Sequence, residues 1–213
     1  MEEVLPDVYH WTARHPRIGI EVSSYWLDGE GVAIDPLLPA REGLQWFAQR
    51  PAPPRAVLLS NRHHYRGSRL LAERFGCEVY CPSSGLHEFG DGEAVRGFEP
   101  GERLPGGVLA CEVDAICPDE TALHVTAAGA LAIADGIVRG GPYGGEGPLG
   151  FVPDGLMDDP PATKRGLLAA YGRLLAQLDF QHLLLAHGGP VIGNGRELLA
   201  ELVESGGRTA FEL

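Results

Sequence analysis

The residues able to do chemistry gather in four short segments, LSNRHHYRGS (59–68), CPDETALHV (117–125), ALAIADGIV (130–138) and HLLLAHGGPVIGNG (182–195). Each joins a short apolar run of strand type to a polar stretch, so each can set side chains at the end of a strand and into one cleft. Imidazoles and carboxylates in such a place hold divalent ions or move protons, and the guanidinium of Arg66 can grip a carboxylate or phosphate by its planar fork. Each group also has a plainer use. His63 and His64 can bond their own loop, Glu120 can be a solvated turn residue, Asp135 can cap the turn before Gly136, and His187 can be a structural imidazole at a strand end. Other chemistries find less support. No GxSxG elbow occurs, Ser60 alone could serve a Ser-His-Asp arrangement, and the glycines of 140–150 lack the GxxxxGK[ST] order of a phosphate-binding loop.

The elements that must position these segments follow from pattern. Val22–Leu27 and Val32–Ile34, joined by the turn residues Asp28–Gly31, read as a hairpin whose second strand stops at Asp35-Pro36. A helix is expected from Arg41 to about Arg50 and ends at the proline cluster Pro51, Pro53, Pro54. A buried strand follows over 55–60, then the polar segment 61–68, then a helix with Leu70, Leu71 and Phe75 on one face and Gly76 as its stop. Short strands at 77–81, 94–98, 107–116, 122–126 and 130–133 are spaced as in an antiparallel sheet or sandwich. Residues 140–161 hold twelve Gly and Pro in 22 and read as a long surface loop, with 140–150 a flexible lid over the cleft. A helix from Thr163, a strand over 183–186 and a closing helix from Arg196 complete the chain.

In order and spacing the four segments resemble the motifs of the metallo-β-lactamase superfamily, in which a strand leads into HxHxDH, a later loop supplies a His, one strand ends in Asp and a final strand ends in His-Gly. The hairpin SSYWLDGEGVAIDP (23–36) resembles that family's opening. The resemblance spans nearly the whole chain and implies a single α/β domain over 1–213, a four-layer αββα sandwich with the site along one edge. Laid on the family's pattern, the first motif reads Asn61, His63, Tyr65 and Arg66, the next ligand loop reads Glu120-Thr121, and the last two positions keep Asp135 and His187. The second of the family's two metals depends on the positions held here by Tyr65 and Arg66, so the dinuclear zinc site is expected to be absent. The other position keeps His63, Glu120 and Asp135 as ligands with Asn61 as a neutral oxygen donor, a set able to hold one divalent ion, Zn²⁺, Mn²⁺ or Fe²⁺. His64 lies beside His63, and a register change of one residue would put that imidazole in the cleft instead.

Composition sets the surroundings. Seventeen basic against 29 acidic residues give a net charge of −12, which disfavours nucleic acid and anionic membrane surfaces as partners. The 44% hydrophobic and 22% charged content fits a soluble folded domain. No apolar run approaches the roughly 20 residues of a membrane span. With no signal-peptide layout and four cysteines outside CxxC pairs, a cytoplasmic protein with free thiols is expected. Two functions follow. One is a non-catalytic or small-molecule-binding member with Arg66 paired in place of a metal. The other is a mononuclear metal-dependent hydrolase of a small ester, thioester or phosphoester, with His187 moving a proton and Arg66 steadying the developing anion.

Overall fold

Alternation along the short strands decides the layers. In β4 (Val32–Ile34) and β5 (Ala56–Leu58), Val32, Ile34, Ala56 and Leu58 face one core while Ala33 and Val57 face another. In β10 (Ala130–Ile133), Ala130 and Ala132 point to the first of these cores, and Leu131 and Ile133 to a third. A strand with period two that buries both faces must lie in the middle of a stack. The computed structural model, which describes residues 1–39, 43–90, 92–141 and 145–207, shows that stack.

The first sheet holds β1 (Glu2–Leu5), β2 (Val8–Arg14), β3 (Glu21–Leu27), β4, β5, β6 (Glu78–Pro82) and β7 (Val95–Phe98) in chain order. The second runs β13 (His182–Leu185), β10, β9 (Thr121–Val125), β8 (Leu109–Glu112), with β10 parallel to β13. A third pair joins β11 (Ile137–Arg139) to β12 (Leu149–Phe151). Helices α1 (Gly43–Ala48) and α2 (Ser68–Phe75) share a core with the first sheet through Phe47 and Leu71. Helices α3 (Pro160–Gln177) and α4 (Gly195–Glu204) share one with the second sheet through Leu167, Tyr171, Leu174 and Leu199. The expected αββα order is therefore present. The carboxyl ends of the parallel strands, where open α/β sheets place their ligands, carry Asp35, Ser60, Asp135 and His187.

Several elements differ from the sequence reading. The strand over 78–82 pairs in parallel with β5, and the strand over 95–98 pairs in parallel with that one, since α2 and a 3₁₀ segment serve as crossovers. The N-terminal strands β1 and β2 were not anticipated. Helix α3 begins at Pro160 and not Thr163, because proline is tolerated in the first turn and Asp159 accepts from the Ala162 N–H at 3.0 Å. The helix expected from Arg41 is described from Gly43 onward, Arg41 lying outside the described residues. Of the expected lid, 142–144 also lie outside them. The described remainder joins β11 to β12, and Gly189 N–H donates to Gly145 O at 3.3 Å, so this stretch packs beside the 187–191 loop.

One clasp ties β3, α1 and the N-terminal hairpin together. Arg50 donates through Nε and Nη2 to the Asp28 carboxylate at 2.7 and 2.5 Å, and its guanidinium lies 4.5 and 4.6 Å from the ring centres of Tyr9 and Trp46. Trp26 Nε1 donates to the same Asp28 at 2.8 Å. The pair is largely shielded from water, so Arg50→Ala is expected to cost about 2 kcal/mol and lower the melting temperature by roughly 4–8 °C in a thermal melt.

Candidate functional site

The turn after β5 determines which histidine enters the site. Asn61 accepts from the His63 N–H at 2.9 Å and so caps a 3₁₀ turn, Arg62–His64. Three residues per turn, in place of the two of a strand, swing His64 inward and leave His63 exposed at the cleft wall. His64 is 3% exposed. Its Nδ1 lies 2.9 Å from both Asp35 Oδ2 and Ser60 Oγ, and its Nε2 lies 3.1 Å from Asp135 Oδ1. Ser60 holds the other side of Asp35, its N–H donating at 2.8 Å and its hydroxyl at 2.5 Å. His187, at the end of β13, brings its Nε2 to the same Asp135 Oδ1 at 2.9 Å, and Asn61 Nδ2 donates to Asp135 Oδ2 at 2.8 Å.

Of the residues the sequence pointed to, Asn61, Asp135 and His187 meet, and His63 and Glu120 do not join them. Glu120 is 2% exposed and sits behind the Asp135 turn, where its Oε1 accepts from the Gly136 N–H at 2.8 Å. Gly136 leaves room for this contact, because a Cβ there would come within 2.6 Å of Leu167 and 2.8 Å of Glu120 Oε1 and push those side chains aside. Asn61 spends its oxygen on the turn and its amide on Asp135. Arg66 is half-buried with φ 39°, a conformation that costs a non-glycine residue strain, and its Nη1 donates to the carbonyls of Ser23 and Asp35, both at 3.0 Å. It thereby fastens β3 and β4 beneath the site. The two sheets meet there as well: Ser23 N–H donates to Ala186 O at 2.9 Å, and Tyr25 Oη donates to Leu185 O at 2.8 Å.

Electrostatics follow from this packing. Burial and the Arg66 charge push the His64 imidazole down, but Asp135 and Asp35 outweigh them and bring it up to about 9. Burial would raise Asp135, yet the two histidines hold it well below the usual carboxylate range. Asp35 is lowered likewise, against its burial, by His64 and Arg66. Glu120 goes the other way, since burial and then the Asp135 charge push it up to about 8. It is a neutral acid at pH 7 and serves as a prop for the turn.

Among the described residues, His64, Asp135 and His187 form the one group of three potential ligands, with donor atoms all within 4.8 Å of one another. Two imidazoles and a carboxylate are a donor set that fits a single divalent ion. Tyr65 and Arg66, from the same turn, are not in this group. In front of the group lies a cleft of about 590 Å³, walled by the β2–β3 hairpin tip (His15, Arg17, Ile18), Leu37, the 62–66 turn and Phe89. None of the described residues from 140 to 150 lines it, so the expected lid is not seen over the cleft. Residue types marked the segments, but only an Asn–x–His cap signal at 61–63 could have favoured His64 over His63.

No family model and no curated protein matches the sequence. Solved structures do resemble the fold. A metallo-β-lactamase family protein, TTHA1429, from Thermus thermophilus superposes with a TM-score of 0.66 at 17% identity over 95% of this chain and 80% of its own. TTHA1623, solved in a di-iron-bound form, gives 0.66 at 22% identity over 88% of this chain and 98% of its own. The Flv1 flavodiiron core from Synechocystis sp. PCC6803 gives 0.69 at 14% identity over 95% of this chain and 59% of its own. The chain has the metallo-β-lactamase fold.

Proposed function

We propose that this is a metallo-β-lactamase-like protein with a degenerate centre, in which a hydrogen-bonded charge cluster takes the place of the dinuclear site, and that it binds a small molecule without hydrolysing it. The observation that carries this reading is that both ring nitrogens of His64 face carboxylate oxygens, Asp35 at 2.9 Å and Asp135 at 3.1 Å. With His64 protonated, two carboxylates are balanced by one imidazolium and the Arg66 guanidinium, so the cluster is neutral as it stands. A dication would displace the His64 proton and leave an excess positive charge beside a half-buried arginine, at a desolvation cost of several kcal/mol. Spacing supports the same reading. Both imidazoles approach Asp135 Oδ1 at hydrogen-bond distance, 2.9 and 3.1 Å.

The second reading keeps one ion on His64, Asp135 and His187, favoured by their convergence and by the di-iron in a protein of similar fold. Such an ion, when bound, would acidify a water for attack on an ester, thioester or phosphoester. Metal analysis of protein purified without chelator separates the two. The expected result is no stoichiometric transition metal and no rise in melting temperature on adding Zn²⁺, Mn²⁺ or Fe²⁺, although tight binding would add about 3 kcal/mol at a hundredfold excess over Kd. One equivalent of metal that disappears in Asp135→Ala would overturn the charge-cluster reading. A single domain, a cytoplasmic location and no nucleic-acid partner are part of the proposal. The four free cysteines suit a reducing compartment, and no helix among the described residues is long and apolar enough to cross a membrane.

A further inference from the structure

We infer that the cleft binds a small organic anion, its acidic head held by Arg17 and His63 and its hydrocarbon part laid on Ile18, Leu37 and Phe89. The inference rests on the small-molecule-binding reading above and gives it a ligand class. At about 590 Å³ the cleft is of the size that takes small molecules.

Its charge is out of character with the chain. Acids exceed bases by twelve overall, yet Arg17, Arg62 and Arg66 and the imidazoles of His15, His63, His64 and His187 line this cleft against Glu88, Glu93 and Asp135. Several of these are already committed. Asp135 is taken by two histidines and Asn61, Arg62 by the buried Asp119, and Arg66 by two carbonyls. The basic side chains left to meet a ligand are Arg17, which is exposed and has no carboxylate partner among the described residues, and the exposed His63, while of the lining acids Glu88 stands 3.9 Å from Arg62 and Glu93 accepts from the Gly90 N–H at 3.3 Å. Burial, and after it the nearby charges of Arg66, His64 and Arg17, hold His15 below its ordinary value.

The hairpin tip that carries Arg17 is pre-shaped. His15 N–H donates to Ile20 O and Gly19 N–H to His15 O, each at 2.8 Å, with Gly19 at φ 71° making the tight return. Beside Arg17, Ile18 is 57% exposed, a large aliphatic side chain presented at the cleft mouth. A cationic head set next to an apolar ledge matches an amphiphile with one acidic group, and it repels a cation of the same shape.

The test compares Kd values, from NMR titration of the intact protein, for hexanoate, hexyl phosphate, inorganic phosphate, hexanamide and hexylammonium, each with and without chelator. Hexanoate or hexyl phosphate is expected to bind about tenfold or more tighter than hexanamide, the scale of one charge-assisted hydrogen bond. The tighter of the two identifies the head as carboxylate or phosphate, and inorganic phosphate without the chain is expected to bind more weakly. Arg17→Glu should weaken the anions about tenfold and leave hexanamide unchanged, while Arg17→Lys should retain most of the preference. Equal binding of hexanamide, tighter binding of hexylammonium, or an Arg17→Glu variant that binds hexanoate like the parent would overturn the inference. Anion binding lost on adding chelator would overturn both this inference and the metal-free cluster. Absence of anion binding in protein shown to carry no metal would overturn this inference alone.

Discussion

Asp135→Ala, measured in chelator, is expected to lower stability by about 3–5 kcal/mol and the melting temperature by roughly 10 °C or more. The carboxylate is the point on which the cluster converges: His64 and His187 share its Oδ1, and Asn61 donates to its Oδ2. Removing it leaves a buried imidazolium with one carboxylate in place of two, and an amide hydrogen without an acceptor. Each loss costs more than the bond itself contributed, because the partner stays buried. Asp135→Asn should fall between, since the carboxamide keeps the shape and an acceptor oxygen but gives up the charge. The chelator matters to the interpretation. Were Asp135 chiefly a metal ligand, the stripped protein would already lack the bond and the variant would melt with it, so equal melting temperatures would sink the charge-cluster account.

The second large effect concerns pH. Glu120, near 4.5 in the unfolded chain, is held up to about 8 in the fold. The unfolded chain therefore releases this proton as pH passes 4.5 while the folded protein keeps it, and stability falls across the window from about 4.5 to 8. His64, raised from 6.5 to about 9, acts in the same direction: its contribution is complete below 6.5 and lost as pH rises through 9. Asp35 and Asp135, both lowered from 3.8, contribute above that value and lose their contribution as pH falls below it. Together these place maximum stability near pH 4, with a loss on the order of 3 kcal/mol or more by pH 9, measurable by urea unfolding at fixed pH. Glu120→Gln keeps an oxygen for the Gly136 N–H and cannot ionise. It should flatten the profile between pH 4 and 8, matching the parent at pH 4 and exceeding it at pH 8. Parallel profiles for the two proteins would show that Glu120 does not carry the slope.

Much of the architecture was legible in short-range pattern. The hairpin around Asp28–Gly31 was readable from its turn residues, and α2 from Leu71 and the stop at Gly76, whose φ of 69° is the left-handed value glycine adopts freely. The four polar segments at strand ends proved to be neighbours at one edge. The pairing sense of β6 and β7 was not readable, because residues 77–81 and 94–98 have the same composition whether their partners run parallel or antiparallel. Nor was the stretch over 140–161, where glycine and proline density hid the three-residue strand β12 and a helix start at Pro160.

What the sequence by itself determined was the run of strands, turns and helices and the set of side chains placed at strand ends, since turn residues and short apolar runs are local properties that no distant contact has to supply, while the four-layer stack followed from the family resemblance alone. What only the tertiary structure decided was which of those side chains act together. His63 and His64 are adjacent and alike in composition, and a single capped 3₁₀ turn chose between them. Glu120 and Asp135 are both acids beside Thr or Gly. One is neutral behind the turn and the other ionised in front of it, because burial and the neighbouring imidazoles, set by residues up to 74 positions away in the chain, govern where each proton rests.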